Sequence, residues 1–290
     1  MTSQQQPKVW FVTGSSTGLG RCLVEYLLDK NEIVVATLRK PDVLADLKTK
    51  YPTTQILILP LDVTVRSEVD AAFDQVKAIF GRLDVVVNNA GWAMMGEVED
   101  AAEDVARSLF ECNFWAAAYI STKAVKFFRE VNKPGVGGRL INVSSVTGLH
   151  PFPTTAYYCA SKYALEALTQ ALAAELDPEW KIKITLVEPG HTETSVTDNT
   201  KEAPIHPAYN KPGLPSVDFR KIVAERKPGG GGDPKKLVAK WYELAQLADP
   251  PMRLPLGQDA LYMARAQIAA LTKNLDEVES WSADLTFDKE

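Results

Sequence analysis

Histidine and cysteine are scarce in this chain, with three of each among 290 residues. The cysteines, Cys22, Cys112 and Cys159, are scattered and odd in number, which excludes a disulfide framework. They read as reduced thiols of a cytoplasmic protein. No cluster of His, Cys or carboxylates has ligand spacing, so no metal site is expected. Long apolar runs are missing as well: none approaches the ~20 residues that span a bilayer. Residues 1–7 are polar and lack the basic-then-apolar pattern of a signal peptide. An excess of positive charge is also absent. The net charge is −5, which argues against nucleic acid or an anionic membrane as the main partner. There is no internal repeat, and the only low-complexity tract is Gly229-Gly230-Gly231-Gly232.

What is present is ordinary for a globular protein: 46% hydrophobic and 24% charged residues. A chain of this size buries about 75% of its unfolded surface, so its core needs no staples. Short β-branched runs at 8–13, 32–38, 55–61, 83–88, 138–144 and 182–188 alternate with helical spacing at 18–30, 43–51, 67–80, 102–131 and 155–176. Strands alternating with helices predict βαβ units and a parallel sheet. Val85-Val86-Val87 is apolar on both faces, as a central strand covered by helices must be. Right-handed crossovers then give a doubly wound α/β sheet. After Pro189 the character changes. Residues 191–234 are rich in Thr, Pro, Lys and Gly, read as a lid-like insertion with one helical piece at 217–226. Helices at 234–248 and 258–274 follow, separated by a short extended piece at 252–256. The expectation is a single domain: a core over about 8–190, a substrate lid over about 191–234, and C-terminal helices over about 235–282.

The first strand runs into Thr13-Gly14-Ser15-Ser16-Thr17-Gly18-Leu19-Gly20 and then an apolar helix. Gly14 permits the tight turn, Gly18 lets backbone approach a pyrophosphate, and Gly20 lets the helix pack against the sheet. The free N–H groups and positive dipole end of the helix favour the anion. A glycine-rich surface turn is the plainer reading, but the position between strand one and helix one favours a dinucleotide.

Four motifs in order carry a resemblance. They are Thr13-Gly14-x-x-x-Gly18-x-Gly20, Asn88-Asn89-Ala90-Gly91, Tyr158-x-x-x-Lys162 and Pro189-Gly190-x-x-x-Thr194. The chain resembles the short-chain dehydrogenase/reductase family, closely over about residues 8–194. Arg253-Leu254-Pro255-Leu256-Gly257 is similar to its hydroxysteroid-dehydrogenase-like branch. The resemblance implies a Rossmann fold and a nicotinamide dinucleotide. The groups implied to contact it are Gly14, Ser16, Thr17, Gly18, Leu19, Gly20, Asn89, Ala90, Gly91, Pro189, Gly190, Thr192 and Thr194, with Tyr158 and Lys162. It also implies that Asp62 and Val63 contact the adenine, although Asp62 is equally suited to cap the following helix.

The end of the second strand bears on which nicotinamide cofactor is used. Enzymes of this fold that take NAD usually place an acid there, on the ribose 2′-hydroxyl. Here Leu38 occupies that place, followed by Arg39 and Lys40. Arginine grips a 2′-phosphate bidentately, and a carboxylate would repel it. NADP(H) is therefore expected.

Tyr158 and Lys162 are spaced i, i+4 and share one helix face. Ser145 stands thirteen positions before Tyr158, the separation of the family's serine, which selects it over Ser144. Asn113 matches the family's fourth catalytic residue. A tyrosine with a pKa near ~10 is a poor base at neutral pH, so an adjacent lysine cation and the oxidised nicotinamide are expected to lower it. Tyr158 would then be acid in reduction and base in oxidation. Ser145 would hold the substrate oxygen, Lys162 the nicotinamide ribose, and Asn113 a water linking Lys162 to solvent.

Candidate pocket walls follow the motifs: Trp92, Met94 and Met95, then Leu149, His150, Pro151 and Phe152, and then His191. They are mostly apolar and aromatic, which suggests a lipophilic or aromatic carbonyl or alcohol as the small-molecule substrate. Residues 102–131 and 155–176 resemble the family's dimer-forming helices, implying a homodimer or homotetramer. Two rival readings are a catalytically silent NADP(H)-binding sensor or scaffold and an epimerase or dehydratase. Retention of Ser145, Tyr158 and Lys162 disfavours the first, and the glycine spacing disfavours the second.

Overall fold

The computed structural model describes residues 6–194, 200–227 and 229–287. Along the first half run β1 (Val9–Thr13), α1 (Gly18–Asp29), β2 (Ile33–Leu38), α2 (Ala45–Lys50), β3 (Ile56–Pro60), α3 (Arg66–Phe80), β4 (Val85–Asn88) and the two-residue β5 (Met94–Met95). Then come α4 (Glu103–Phe110), α5 (Ala117–Glu130), β6 (Gly138–Val143), α6 (Ala156–Glu175) and β7 (Ile182–Pro189). The chain ends with β8 (Lys201–Glu202), α7 (Pro215–Ala224), α8 (Pro234–Gln246), β9 (Arg253–Leu256) and α9 (Gln258–Val278). Seven strands form one parallel sheet in the order β3-β2-β1-β4-β6-β7-β9. The expected doubly wound α/β fold is therefore observed. The extended piece at 252–256 is its seventh strand, paired Val187 to Leu254 with β7. No helix among the described residues is long and apolar enough to cross a membrane.

Alternation along each strand sends side chains to two cores. Trp10 and Val12 pack with Leu23, Leu27 and Trp241 under α1 and α8. Phe11 and Val35 pack with Phe73, Ile120 and Phe128 under α3 and α5. Because helices cover both faces, the central strands β1 and β4 are buried throughout, which is why they read as unbroken apolar runs. Truncating a fully buried leucine such as Leu23 would cost about 2–5 kcal/mol. One polar network crosses this core. Asn88 Nδ2 donates to Asn142 Oδ1 at 2.8 Å and to Ser121 Oγ at 3.1 Å, and Asn142 Nδ2 donates to Thr169 Oγ1 at 2.9 Å. It fixes β4 and β6 against α5 and α6 at the height of the site, because a buried amide must keep its partners.

The helix expected over 102–131 is interrupted. Between α4 and α5 the turn Glu111–Ala116 is a π-helix, with one extra residue wound into the helix. Such bulges reorient a side chain without ending the helix, and this one carries Asn113. The insertion after β7 is docked rather than free where it is described. Its β8 pairs with β5, and Arg220 on α7 grips the buried Glu97 with Nη2 to Oε2 at 3.0 Å. Residues 195–199 and 228 of the expected lid lie outside the described residues.

Candidate active site

Strand order reverses between β1 and β4, and the glycine turn sits at that point. Gly14 and Gly18 have φ of +67° and +57°, which L side chains rarely adopt. A Cβ on Gly20 would lie 2.2 Å from Gly14 O, so helix and turn touch backbone to backbone. Ser15 is fully buried, and its hydroxyl donates to Val12 O at 2.9 Å. Thr17 enters α1 without a side-chain cap, and the first turn has no acidic residue. Its amide groups are therefore suited to an anion. A dinucleotide pyrophosphate fits this cradle. Asn89 Nδ2 is committed to the turn itself, donating to Thr13 O at 2.9 Å and Gly14 O at 3.2 Å. Asn89 N and Ala90 N both donate to Thr13 Oγ1 at 3.0 Å. The Asn89 side-chain nitrogen is therefore already engaged within the protein.

Leu38 is buried at the end of β2, whereas Arg39 and Lys40 are exposed. Asp62 accepts from Thr64 N at 3.0 Å and from Thr64 Oγ1 at 2.7 Å. Burial pushes its carboxyl up, but these bonds and the nearby Arg39 guanidinium outweigh that and hold it below the usual range. Asp62 therefore closes the turn before α3, and its neighbour Val63 lines a small cavity with Arg66, Glu111 and Tyr119.

Ser145, Tyr158 and Lys162 come together between β6 and α6. Ser145 caps the short turn Val146–Gly148, its Oγ accepting from Thr147 N at 3.2 Å. The Tyr158 phenol is buried against the hydroxyls of Ser145 and Thr147. Burial raises its pKa, and those two hydroxyls pull the other way. Lys162 Nζ donates to Val143 O at 2.9 Å and lies 5.9 Å from the Tyr158 ring centroid. Burial drives its pKa down to about 8. In the chain by itself desolvation dominates and raises the pKa of the phenol; the lowering expected with both the lysine and an oxidised nicotinamide beside it concerns the loaded enzyme.

Asn113 clasps the strand that follows the second motif. Its Oδ1 accepts from Trp92 N at 3.0 Å, and its Nδ2 donates to Trp92 O at 2.9 Å and Ser161 Oγ at 3.2 Å. Gly91 is squeezed beside it: a Cβ there would meet Asn113 Oδ1 at 3.0 Å and Lys162 Nζ at 3.7 Å. After β7, Gly190 and His191 are fixed by α9. A Cβ on Gly190 would strike Asp259 at 2.2 Å, and His191 N donates to Asp259 Oδ2 at 2.7 Å. Thr192 Oγ1 donates to Gly190 O at 3.2 Å, and Thr194 follows two residues on. A Cβ on Gly18 would be 3.6 Å from Thr194 Cβ, so the first and fourth motifs meet.

The expected pocket walls divide. Met94 packs with Ala106, Leu109, Trp92 and Tyr158. His150 meets Gln267 at 3.2 Å, and Phe152 stacks on Phe219 of α7 at 5.3 Å. Met95 and His191 line a cavity of about 670 Å³ with Ile205, Val223, Arg226 and Glu193. Neither Ser145 nor Tyr158 lines it.

Sequence reasoning missed several groups. Thr147 gave no signal beyond standing two residues past Ser145. Behind the site, Arg253 Nη1 lies 2.5 Å from both Glu166 Oε2 and Glu188 Oε1. Glu166 falls one helical turn after Lys162, and Glu188 directly precedes the fourth motif, so position alone could have drawn notice to both. Among the described residues no group of three His, Cys, Asp or Glu could hold a metal ion.

A glycine cradle at the reversal of a doubly wound sheet, beside a half-buried serine and tyrosine and a buried lysine, defines an oxidoreductase that works on a bound dinucleotide. The chain belongs to the short chain dehydrogenase family, whose match covers residues 8–204. An uncharacterized oxidoreductase of Schizosaccharomyces pombe is 36% identical over 96% of this chain and 91% of its own length. The 3-ketodihydrosphingosine reductase of Bacteroides thetaiotaomicron is 30% identical over 87% of this chain and 88% of its own. Among solved structures, a short-chain dehydrogenase from Streptomyces avermitilis superposes with a TM-score of 0.87 at 32% identity, covering 98% of this chain and all of its own. A short chain dehydrogenase from Burkholderia cenocepacia in complex with NADP shares the fold, with a TM-score of 0.72 at 23% identity over 94% and 97% of the two chains.

Proposed function

We propose that this oxidoreductase is an NADP(H)-dependent reductase and alcohol dehydrogenase for a lipophilic or aromatic carbonyl. The observation that carries the reading is the buried Tyr158 phenol, set against the Ser145 hydroxyl with Lys162 one turn along α6. A bound nicotinamide would supply hydride to the substrate carbon. Tyr158, protonated at neutral pH, gives its proton to the substrate oxygen as the C–O bond gains charge. Ser145 donates a hydrogen bond to that oxygen and stabilises the same charge. Lys162, cationic below about pH 8, steadies the phenolate that Tyr158 leaves behind. Asn113 positions Trp92 and Gly91, and through them the wall on which the nicotinamide end would lie. Arg39 and Lys40, without an acid at 38, favour the 2′-phosphate of NADP(H); the NADP-bound structure of the same fold agrees with that choice. The lipophilic class rests on Trp92, Met94, Met95 and Phe152 and on the likeness to a sphingoid-base reductase. On this reading the described parts of the insertion, 191–194, 200–227 and 229–234, serve as a lid.

The test is a panel of ketones, aldehydes, long-chain keto lipids, steroids and polyols, read at the NADPH absorbance band and repeated with NADH. Turnover of apolar carbonyls with NADPH is expected. Activity confined to polyols would end the substrate reading, and a preference for NADH would end the cofactor reading.

A further inference from the structure

Helix α9 is docked only through its first turns. Ala260 is its one buried residue, and Gln267 makes its last contact with the body, at His150. From Ile268 to Val278 every residue is exposed. Eleven residues of helix projecting into water are marginal unless an apolar face is covered. Such a face exists. Leu261, Ala264, Ile268, Leu271, Leu275 and Val278 recur at alternating spacings of three and four, the seven-residue repeat of a helix seam. Four of them are bare: Ile268 is 64% exposed, Leu271 53%, Leu275 67% and Val278 49%.

Charge selects the occupant. Along the chain from Arg265 to Glu279 the charge changes sign: Arg265 and Lys273 come first, and Asp276, Glu277 and Glu279 follow. Neither Arg265 nor Glu279 forms an ion pair among the described residues. A second copy laid parallel would set basic on basic and acidic on acidic. Laid antiparallel about a two-fold axis near Lys273, it sets Ile268 opposite Val278 and Leu271 opposite Leu275, each twice. The same register brings Glu279 within two residues of the position opposite Arg265 on the flanking edge, within reach of two long side chains. A two-fold contact of this kind must be self-complementary.

We propose that α9 pairs antiparallel with α9 of a second copy of this chain, through Ile268, Leu271, Leu275 and Val278. This contact is separate from α5 and α6, and it leaves Tyr158 and Lys162 untouched.

The test uses the full chain at tens of micromolar, by light scattering after size exclusion. The double variant Leu271→Glu, Leu275→Glu should have half the wild-type mass, with unchanged far-ultraviolet circular dichroism and unchanged NADPH binding. Cysteine cross-linking reads the register. Asn274 would face itself across the axis, so Asn274→Cys should run as a disulfide dimer on a non-reducing gel. Arg265→Cys alone should not, whereas a mixture of Arg265→Cys and Glu279→Cys should. Wild-type protein with the mass of one chain, an unchanged mass in the double variant, or self-linking of Arg265→Cys would overturn the proposal.

Discussion

Tyr158 is kept protonated by its surroundings, because burial opposes the phenolate more than the Ser145 and Thr147 hydroxyls favour it. A buried phenol beside a lysine of pKa about 8 is suited to give a proton near neutrality. Removing the hydroxyl with Tyr158→Phe should lower kcat by about 10²–10⁴-fold, the usual worth of a positioned acid. The Kd for NADPH, read by fluorescence, should hold steady; near-normal turnover would refute the role. Arg39 acts at the opposite end of the cofactor cleft. Each hydrogen bond to a charged group is worth about 1.5–3 kcal/mol, so Arg39→Ala should raise KM for NADPH about 10–100-fold. KM for NADH should change little. Equal losses with both cofactors would show that Arg39 supports the fold of the strand end rather than reading the phosphate.

At the scale of elements, the anchors of the insertion after β7 include the β5–β8 pair, the ion pair of Arg220 with buried Glu97 and the stacking of Phe219 on Phe152. Replacing one partner of a buried pair leaves the other charge uncompensated. Glu97→Gln should therefore loosen residues 200–227 locally, because that segment has few other buried anchors. Limited proteolysis should cut there several-fold faster, with the global melting temperature little changed. An unaltered cleavage pattern would remove the clamp from the account. This part of the molecule was also the least legible beforehand. The strands of the main sheet declared themselves through β-branched runs such as Val85-Val86-Val87, and the glycine turn through its place between strand and helix. A two-residue strand has no periodicity, and the pairing of Met94 with Lys201 joins positions more than a hundred apart, so Met94 and Met95 read only as pocket wall. The π-turn at Asn113 was invisible for a related reason: one extra residue in a long helical pattern changes no residue type. The residues proposed as catalytic were legible as motifs. Thr147 was not, and although Glu166, Glu188 and Arg253 stand near motifs, their meeting as one cluster depends on which strands and helices lie side by side.

That cluster binds the molecule as a whole, since α6, β7 and β9 meet at one arginine. Two buried carboxyls share a single cation, and Glu166 and Glu188 lie within hydrogen-bond reach of each other. Burial, reinforced by the Glu166 charge, pushes the Glu188 carboxyl up to about 8, so the pair holds a proton at neutral pH. The ordinary value of a glutamate is 4.5. Between 4.5 and 8 the folded chain thus binds more protons at this site than the unfolded chain does, and stability falls as pH rises through that window. Lys162 has the opposite sign in a different window. Its folded pKa of about 8 lies below the ordinary 10.5, so above pH 8 the unfolded chain binds the extra proton and stability recovers. Glu188→Gln leaves a neutral amide in the place of the acid, and Glu166 then pairs with Arg253 alone. Urea unfolding at pH 5, 6.5 and 8 should show a clear loss of stability in the wild type and a flatter profile in the variant. The variant should be the more stable of the two at pH 8, because one buried charge has been removed from an unbalanced triad. A wild-type slope that persists unchanged in Glu188→Gln would show that the proton is held elsewhere.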